Sequence, residues 1–217
     1  NILVILIDDA GYNDFGFMGS KEMQTPNIDA LTSEGVVFTD AHVAATVSSP
    51  SRACLITGRY GHRFGYECNL SDRTNGLPLE EETIAEVFKT NGYRTAAIGK
   101  WHLGSRDEQH PNNRGFDLFY GMKAGGRDYF YNEKKSDRPG DERNLLLNDR
   151  QVKFEKYLTD AFSEKAVEFI NESSQPFMMY LAYNAVHTPM QATDEDMAKF
   201  EGHPRQKLAA MTYALDR

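Results

Sequence analysis

Two adjacent carboxylates, Asp8 and Asp9, close the apolar run that begins at Asn1 and continues through Ile7. Neighbouring acids at the end of a buried strand repel each other unless a cation lies between them, which points to a hard metal such as Ca²⁺ or Mg²⁺. The plainer alternative is one Asp in a turn and the other in solvent. A second candidate pair, Lys100 and His102, follows the strand-like run 93–99. Alternate residues of an extended chain point the same way, so an ammonium and an imidazole would lie side by side, suited to an anionic substrate and proton transfer. A surface Lys beside a packed His is the alternative. His187 follows the apolar run 176–183 in a loop braced by Pro189, where it is either an acid or base or a structural residue. The fourth candidate is Ser48-Ser-Pro-Ser-Arg52. Pro50 suits the first turn of a helix, and Arg52 is spaced to return a guanidinium toward Ser48. The helix N-terminus adds partial positive charge, so a nucleophile at position 48 would stand in an anion-friendly corner.

The elements that must position these groups alternate. Strand-like runs occupy 1–9, 36–43, 93–99 and 176–183, the first reading as a strand buried on both faces of a parallel sheet. Helical signals cover Thr25-Pro26 up to Gly35, 50–57 up to Gly58, 81–91 up to Gly92, and a strongly amphipathic segment from Leu158 to Ile170. This alternation predicts an α/β fold with a mostly parallel central sheet sandwiched by helices. In such folds ligands bind beyond the carboxyl ends of the strands, where all four candidate groups fall. Residues 105–156 are polar and weakly periodic, either a substrate-facing insertion or a solvated excursion.

Lys and Arg number 24 against 32 Asp and Glu, a net charge of −8, which disfavours broad nucleic-acid binding. The longest apolar run, Ile2 to Ile7, is far shorter than the roughly 20 residues a membrane span needs. Cys54 and Cys68 are too few for a disulfide framework; no bond between them is expected, with Cys54 buried on its helix. The chain opens inside a strand and stops at Arg217 inside a helix-like run, so residues 1–217 are expected to be the N-terminal part of one larger catalytic domain.

The segment Ser48-x-Pro-Ser-Arg52 followed by Thr57-Gly-Arg59 resembles the signature of the formylglycine-dependent sulfatases. Asp8-Asp9 with Gly11-Tyr-x-Asp14-x-Gly16, Thr25-Pro-Asn-Ile-Asp29, Gly99-Lys-Trp-His-Leu-Gly104 and His187-Thr-Pro189 match further family segments in the family's order. The resemblance implies an alkaline-phosphatase-like fold and cleavage of a sulfate monoester, commonly on a carbohydrate. It implies that Ser48 is converted to Cα-formylglycine by a maturating enzyme and that the hydrated aldehyde is the nucleophile. Asp8, Asp9 and residue 48 would hold Ca²⁺, with Mg²⁺ a possible substitute. Arg52 would polarise the formylglycine, Lys100 would bind sulfate, His102 would take a proton as the sulfated hydrate breaks down, and His187 would protonate the departing oxygen. Relatives of this kind are exported to the periplasm, cell exterior or lysosome. Ser stands at position 48 where many relatives have Cys, and the family's later Asp-Asn metal ligands and second Lys are expected beyond Arg217, so residues 1–217 would hold only part of the metal site. Arg127, Asp128, Arg138 and Arg143 are candidates for substrate hydroxyls or further sulfates. A phosphomonoester or phosphonate hydrolase of the same superfamily, and a non-catalytic binder of sulfated glycans, are the alternatives.

Overall fold

The computed structural model describes residues 1–69 and 76–217. Its described strands are β1 (Ile2–Leu6), β2 (Arg94–Lys100), β3 (Leu118–Met122), β4 (Leu146–Leu147), β5 (Arg150–Gln151) and β6 (Phe177–Ala182). They form one sheet in the order β1-β6-β2-β3-β4-β5. β1, β6, β2 and β3 run parallel, and β4 and β5 continue antiparallel at the far side. The helices are α1 (Pro26–Glu34), α2 (Ser48–Thr57), α3 (Ile84–Thr90), α4 (Leu158–Glu172), α5 (Asp194–Ala198) and α6 (Gln206–Asp216).

The sheet is covered on both faces, as the alternation predicted. On one face Ile98, Met179 and Leu181 pack with Leu158, Phe162 and Phe169 of α4. On the other, Ala97, Met178 and Tyr180 pack with Ala53 and Ile56 of α2 and Ala85 of α3. β6 is buried at every residue because strands pair with it on both sides. Burying a large apolar side chain such as Phe162 or Phe169 contributes about 1.5–3 kcal/mol, so these two layers fix the sheet between the helices. No helix among the described residues is long and apolar enough to cross a membrane.

The structure corrects three sequence expectations. β1 is not buried on both faces. It lies at the sheet edge, pairs only with β6 among the described strands, and exposes Leu3 and Ile5. The run 36–43 forms no strand; Val36, Phe38 and Val43 are exposed in coil, because β-branched and aromatic residues favour a strand only where a neighbour offers a pleated surface to pack on. Residues 105–156 are not one long excursion, since they contain β3 and the β4–β5 pair. Cys54 is buried, Cys68 is exposed, and both are free thiols, as expected.

Three local devices tie the helices down. Gly58 ends α2 in the left-handed region, at φ 67°, with its N–H on the Cys54 carbonyl. Asp216 at the end of α6 accepts the Asn27 and Ile28 N–H groups, so it caps α1 across the fold. Thr83 closes a reciprocal capping box with Glu86 at the start of α3, three residues later than the sequence signal placed it. The Thr83 hydroxyl also donates to the Arg114 carbonyl at 2.9 Å. Thr83→Ala is therefore expected to cost about 1–2 kcal/mol, with Thr83→Ser recovering most of it. Urea denaturation of the two variants checks this; equal midpoints would show that the cap carries no stability.

Candidate active site

One rung of the parallel sheet sets the site. Leu6, Ala182, Gly99 and Gly121 are partners across β1, β6, β2 and β3. Asp8 lies two residues beyond this rung, Lys100 one, His102 three and His187 five. All therefore emerge at the carboxyl edge, where open α/β sheets bind ligands. The loops are stitched together there: the Asp8 N–H donates to the Ala185 carbonyl at 2.9 Å, and the Val186 N–H to the Asp8 carbonyl at 2.7 Å. α2 begins at Ser48, two residues earlier than Pro50 suggested, and brings its first turn to the same edge.

Asp8 is the hub. Lys100 Nζ donates to its Oδ2 at 2.6 Å, and Arg52 Nη2 lies 3.2 Å from its Oδ1. The Ser48 hydroxyl reaches Oδ1 at 3.4 Å, and Arg52 Nε donates to the Ser48 Oγ at 3.3 Å. The rest of the guanidinium is spent on the Lys100 carbonyl at 2.8 Å and the Tyr180 hydroxyl at 3.3 Å. Arg52 and Lys100 are each only 1% exposed, so two cations share one buried carboxylate. Burial raises the Asp8 pKa, but Arg52 and Lys100 outweigh it and hold the carboxyl below its ordinary value. Burial, with Arg52 beside it, pushes Lys100 down to about 8 against the pull of Asp8. Burial, then Lys100 and Arg52, pushes His102 down to about 3, so its imidazole is neutral near pH 7.

Asp9 and His102 both adopt positive φ, 58° and 57°, which non-glycine residues rarely do. Such strain persists where surrounding contacts hold it. Ser49 Oγ donates to the His102 carbonyl at 2.7 Å, and the His102 N–H donates to the Lys123 carbonyl at 3.1 Å. Asp9 is largely exposed, with its Oδ2 3.7 Å from His187 Nε2. His187 Nδ1 lies 2.6 Å from the Thr188 carbonyl. A carbonyl only accepts, so Nδ1 carries a proton and Nε2 is the atom left to exchange one.

Asp8, Asp9 and Ser48 offer oxygen donors only, the chemistry a hard cation prefers. Ca²⁺ takes about six to eight oxygens, more than these residues provide. Among the described residues no group of three or more His, Cys, Asp or Glu side chains is arranged to hold a metal. The three residues fit as part of such a site, not as the whole of it. A groove of about 660 Å³ is lined by Lys89, His110 and Asp117 before the start of β3, at the opposite end of the sheet from this chemistry.

In the long polar segment Arg127 and Asp128 are buried, while Arg138 and Arg143 stay partly or fully exposed. Arg127 is buried against Asp137 by two bonds of 2.7 and 2.9 Å and lies over the Phe154 ring. Asp128 is buried and bonded to Ser136. Arg143 pairs with Asp141, and Arg138 donates to the Lys134 carbonyl. Sequence reasoning missed Tyr129, whose fully buried hydroxyl lies 2.6 Å from the Asn184 carbonyl and 2.8 Å from that of His187. Its place in a run of aromatics carried no signal of that role.

The helix-covered, mostly parallel sheet has the fold of the alkaline-phosphatase-like class of α/β proteins. Within that class the chain belongs to the sulfatase family, whose model matches residues 1–213. It is 37% identical to arylsulfatase G of Mus musculus over 222 residues, covering 89% of this chain and 42% of that protein. It is similar to the solved structure of Ps i-CgsB in complex with k-i-k-neocarrahexaose, at 44% identity and a TM-score of 0.92, covering all of this chain and 52% of that one. A structure of BT4656 in complex with its substrate D-glucosamine-2-N,6-O-disulfate matches at 26% identity and a TM-score of 0.76, over 93% of this chain and 37% of that one. The chain thus spans about half the length of these relatives or less.

Asp8→Ala would leave Arg52 and Lys100 buried without their carboxylate. Breaking a buried pair in this way is expected to cost about 3–5 kcal/mol. Because the folded pKa of Asp8 is lowered, its contribution is present above its unfolded value near 3.8 and is lost as pH falls through the folded one. Denaturation midpoints of wild type and Asp8→Ala should therefore converge in acid; a constant gap from pH 7 down to pH 2 would show that the carboxylate is not the stabilising group.

Proposed function

We propose that the protein is a sulfuric ester hydrolase acting on a carbohydrate sulfate, with residue 48 as nucleophile after conversion of Ser48 to Cα-formylglycine by a maturating enzyme. The observation that carries this reading is the setting of the Ser48 hydroxyl, between the Arg52 guanidinium and Asp8 at the entrance of α2 with Lys100 behind them. Its relatives support the substrate class, since Ps i-CgsB was solved with k-i-k-neocarrahexaose and BT4656 with a disulfated glucosamine. Residues 1–217 form the N-terminal part of the catalytic domain in this reading, and the whole protein is exported.

The hydrated aldehyde would supply two hydroxyls at one carbon, and Ca²⁺ or Mg²⁺ held in part by Asp8, Asp9 and residue 48 would supply positive charge to the transferring group. The remaining work falls to the chain's own side chains. Arg52 orients the oxygen at position 48 and favours its anionic form. Lys100 presents an ammonium to the sulfate oxygens. It is held by Asp8, and its pKa of about 8 leaves it mostly charged at neutral pH. Both cations are fixed before substrate arrives, so their charge costs no reorganisation when negative charge shifts during reaction. His102 is neutral and accepts a proton from the residue-48 side. His187 donates from Nε2 to the leaving oxygen, which requires its imidazolium form because Nδ1 is committed to Thr188.

Two measurements test this. The peptide containing Ser48, taken from the protein made in its native host, should be lighter by about 2 Da from loss of two hydrogens. An unaltered mass with full activity would remove the formylglycine. In the complete, modified enzyme His187→Ala should lose about 10²–10⁴-fold in kcat on sugar sulfates and much less on sulfates of acidic phenols, which depart without a proton. Equal losses on both would take His187 out of the acid role.

A further inference from the structure

We propose that Gly125 and Gly126 form a wall without side chains that sets the ring positions of His102 and His187, which makes them positioning residues for both; this rests on the sulfatase reading above. The two glycines follow β3 and face different histidines. A Cβ on Gly125 would lie 2.6 Å from both Cε1 and Nε2 of His102 and 3.1 Å from its Cδ2. A Cβ on Gly126 would lie 3.3 Å from Cε1 and 3.5 Å from Nδ1 of His187. Consecutive residues thus touch two imidazoles that reach the site from separate strands.

The wall cannot easily recoil. On its N-terminal side the Lys123 carbonyl accepts the His102 N–H at 3.1 Å, and the Ala124 N–H donates to the Glu142 carbonyl at 3.2 Å. On its C-terminal side Arg127 is locked to Asp137, and its Nη1 donates to the Arg143 carbonyl at 2.8 Å. Two residues further on, the Tyr129 hydroxyl bonds the His187 carbonyl itself. His102 cannot retreat by a backbone shift either, because its left-handed conformation is held at both its N–H and its carbonyl. A methyl group at 125 must therefore move the His102 ring, whereas one at 126 needs only a few tenths of an ångström from His187.

The test uses the full-length, formylglycine-bearing enzyme and a sugar sulfate. Gly125→Ala should lower kcat about 10²-fold, the cost of misplacing a catalytic group by about 1 Å, with little change in KM. Gly126→Ala should lose less. In the His102→Ala background Gly125→Ala should cost nothing further, because the ring it collides with is gone; the cycle of four enzymes isolates that coupling. Independently of turnover, Gly125→Ala should shift the Cε1–Hε1 resonance of His102 and leave that of His187, with the pattern reversed for Gly126→Ala. A raised KM with unchanged kcat would make the gap room for substrate and overturn the proposal, as would equal losses in both backgrounds or unmoved resonances. Should Gly125→Ala fail to fold, the His102→Ala/Gly125→Ala pair must fold if the ring is the obstacle, and its failure would also overturn the proposal. If the wild-type enzyme cleaves no sulfate ester, the functional reading falls, while the resonances still decide whether the wall sets the rings.

Discussion

Two cations and one carboxylate, all buried, share a single point at the carboxyl edge of the sheet, and the remaining architecture follows from keeping them there. Arg52 and Lys100 would repel each other strongly in a low-dielectric interior without Asp8 between them. Burial alone would raise the Asp8 pKa, and the two cations reverse that. The arrangement holds only if α2, β1 and β2 are fixed relative to one another, which the two apolar layers and the register of the sheet accomplish. Such a cluster is weak evidence for stability, since its members are costly to desolvate. Its value lies in leaving positive charge fixed beside the Ser48 hydroxyl.

Much of this was legible in the sequence because the chemistry sits one to five residues past apolar runs. Asp8, Lys100 and His187 each follow such a run, and Ser48 with Arg52 share a helix start, so residue type and position marked them as candidates, while the resemblance to the family's motifs singled them out from their structural alternatives. The parallel sheet sandwiched by helices was equally readable from the alternation of periods. The edge position of β1 was not, because an apolar run reports what a strand can bury and not how many neighbours it has. Val36 to Val43 misled for the same reason. β3 was missed because Leu118-Phe-Tyr-Gly-Met122 is brief and lies within a polar stretch.

The loop residues show a different limit. Arg127 and Asp128 have the side chains expected of a surface that reads sugars, yet both are buried and bonded within their own loop. A charged residue announces its charge in the sequence and hides its partner, and Asp137 lies far enough along the chain that spacing does not reveal the pair. The reverse holds for Gly125 and Gly126. Their contribution is the absence of atoms beside two imidazoles, which no reading by residue type can register.

The two cations are not interchangeable, and their geometry explains the division of labour. Arg52 contacts four groups in different directions: Ser48 Oγ, Asp8 Oδ1, the Lys100 carbonyl and the Tyr180 hydroxyl. A planar fork with five N–H groups can do this, whereas an ammonium cannot reach such spread partners. Its charge is therefore committed to the frame and to the oxygen at position 48. Lys100 places its single ammonium on Asp8, with its side chain fully enclosed. Because the Lys100 carbonyl accepts from Arg52, the residue whose ammonium meets Asp8 also anchors the guanidinium that reaches the Ser48 Oγ. The Lys100 ammonium and the Ser48 oxygen are thus mechanically linked through one peptide at the end of β2. His102, two residues later, keeps its left-handed φ on the same edge because its N–H is held by the Lys123 carbonyl and its own carbonyl accepts from Ser49 Oγ.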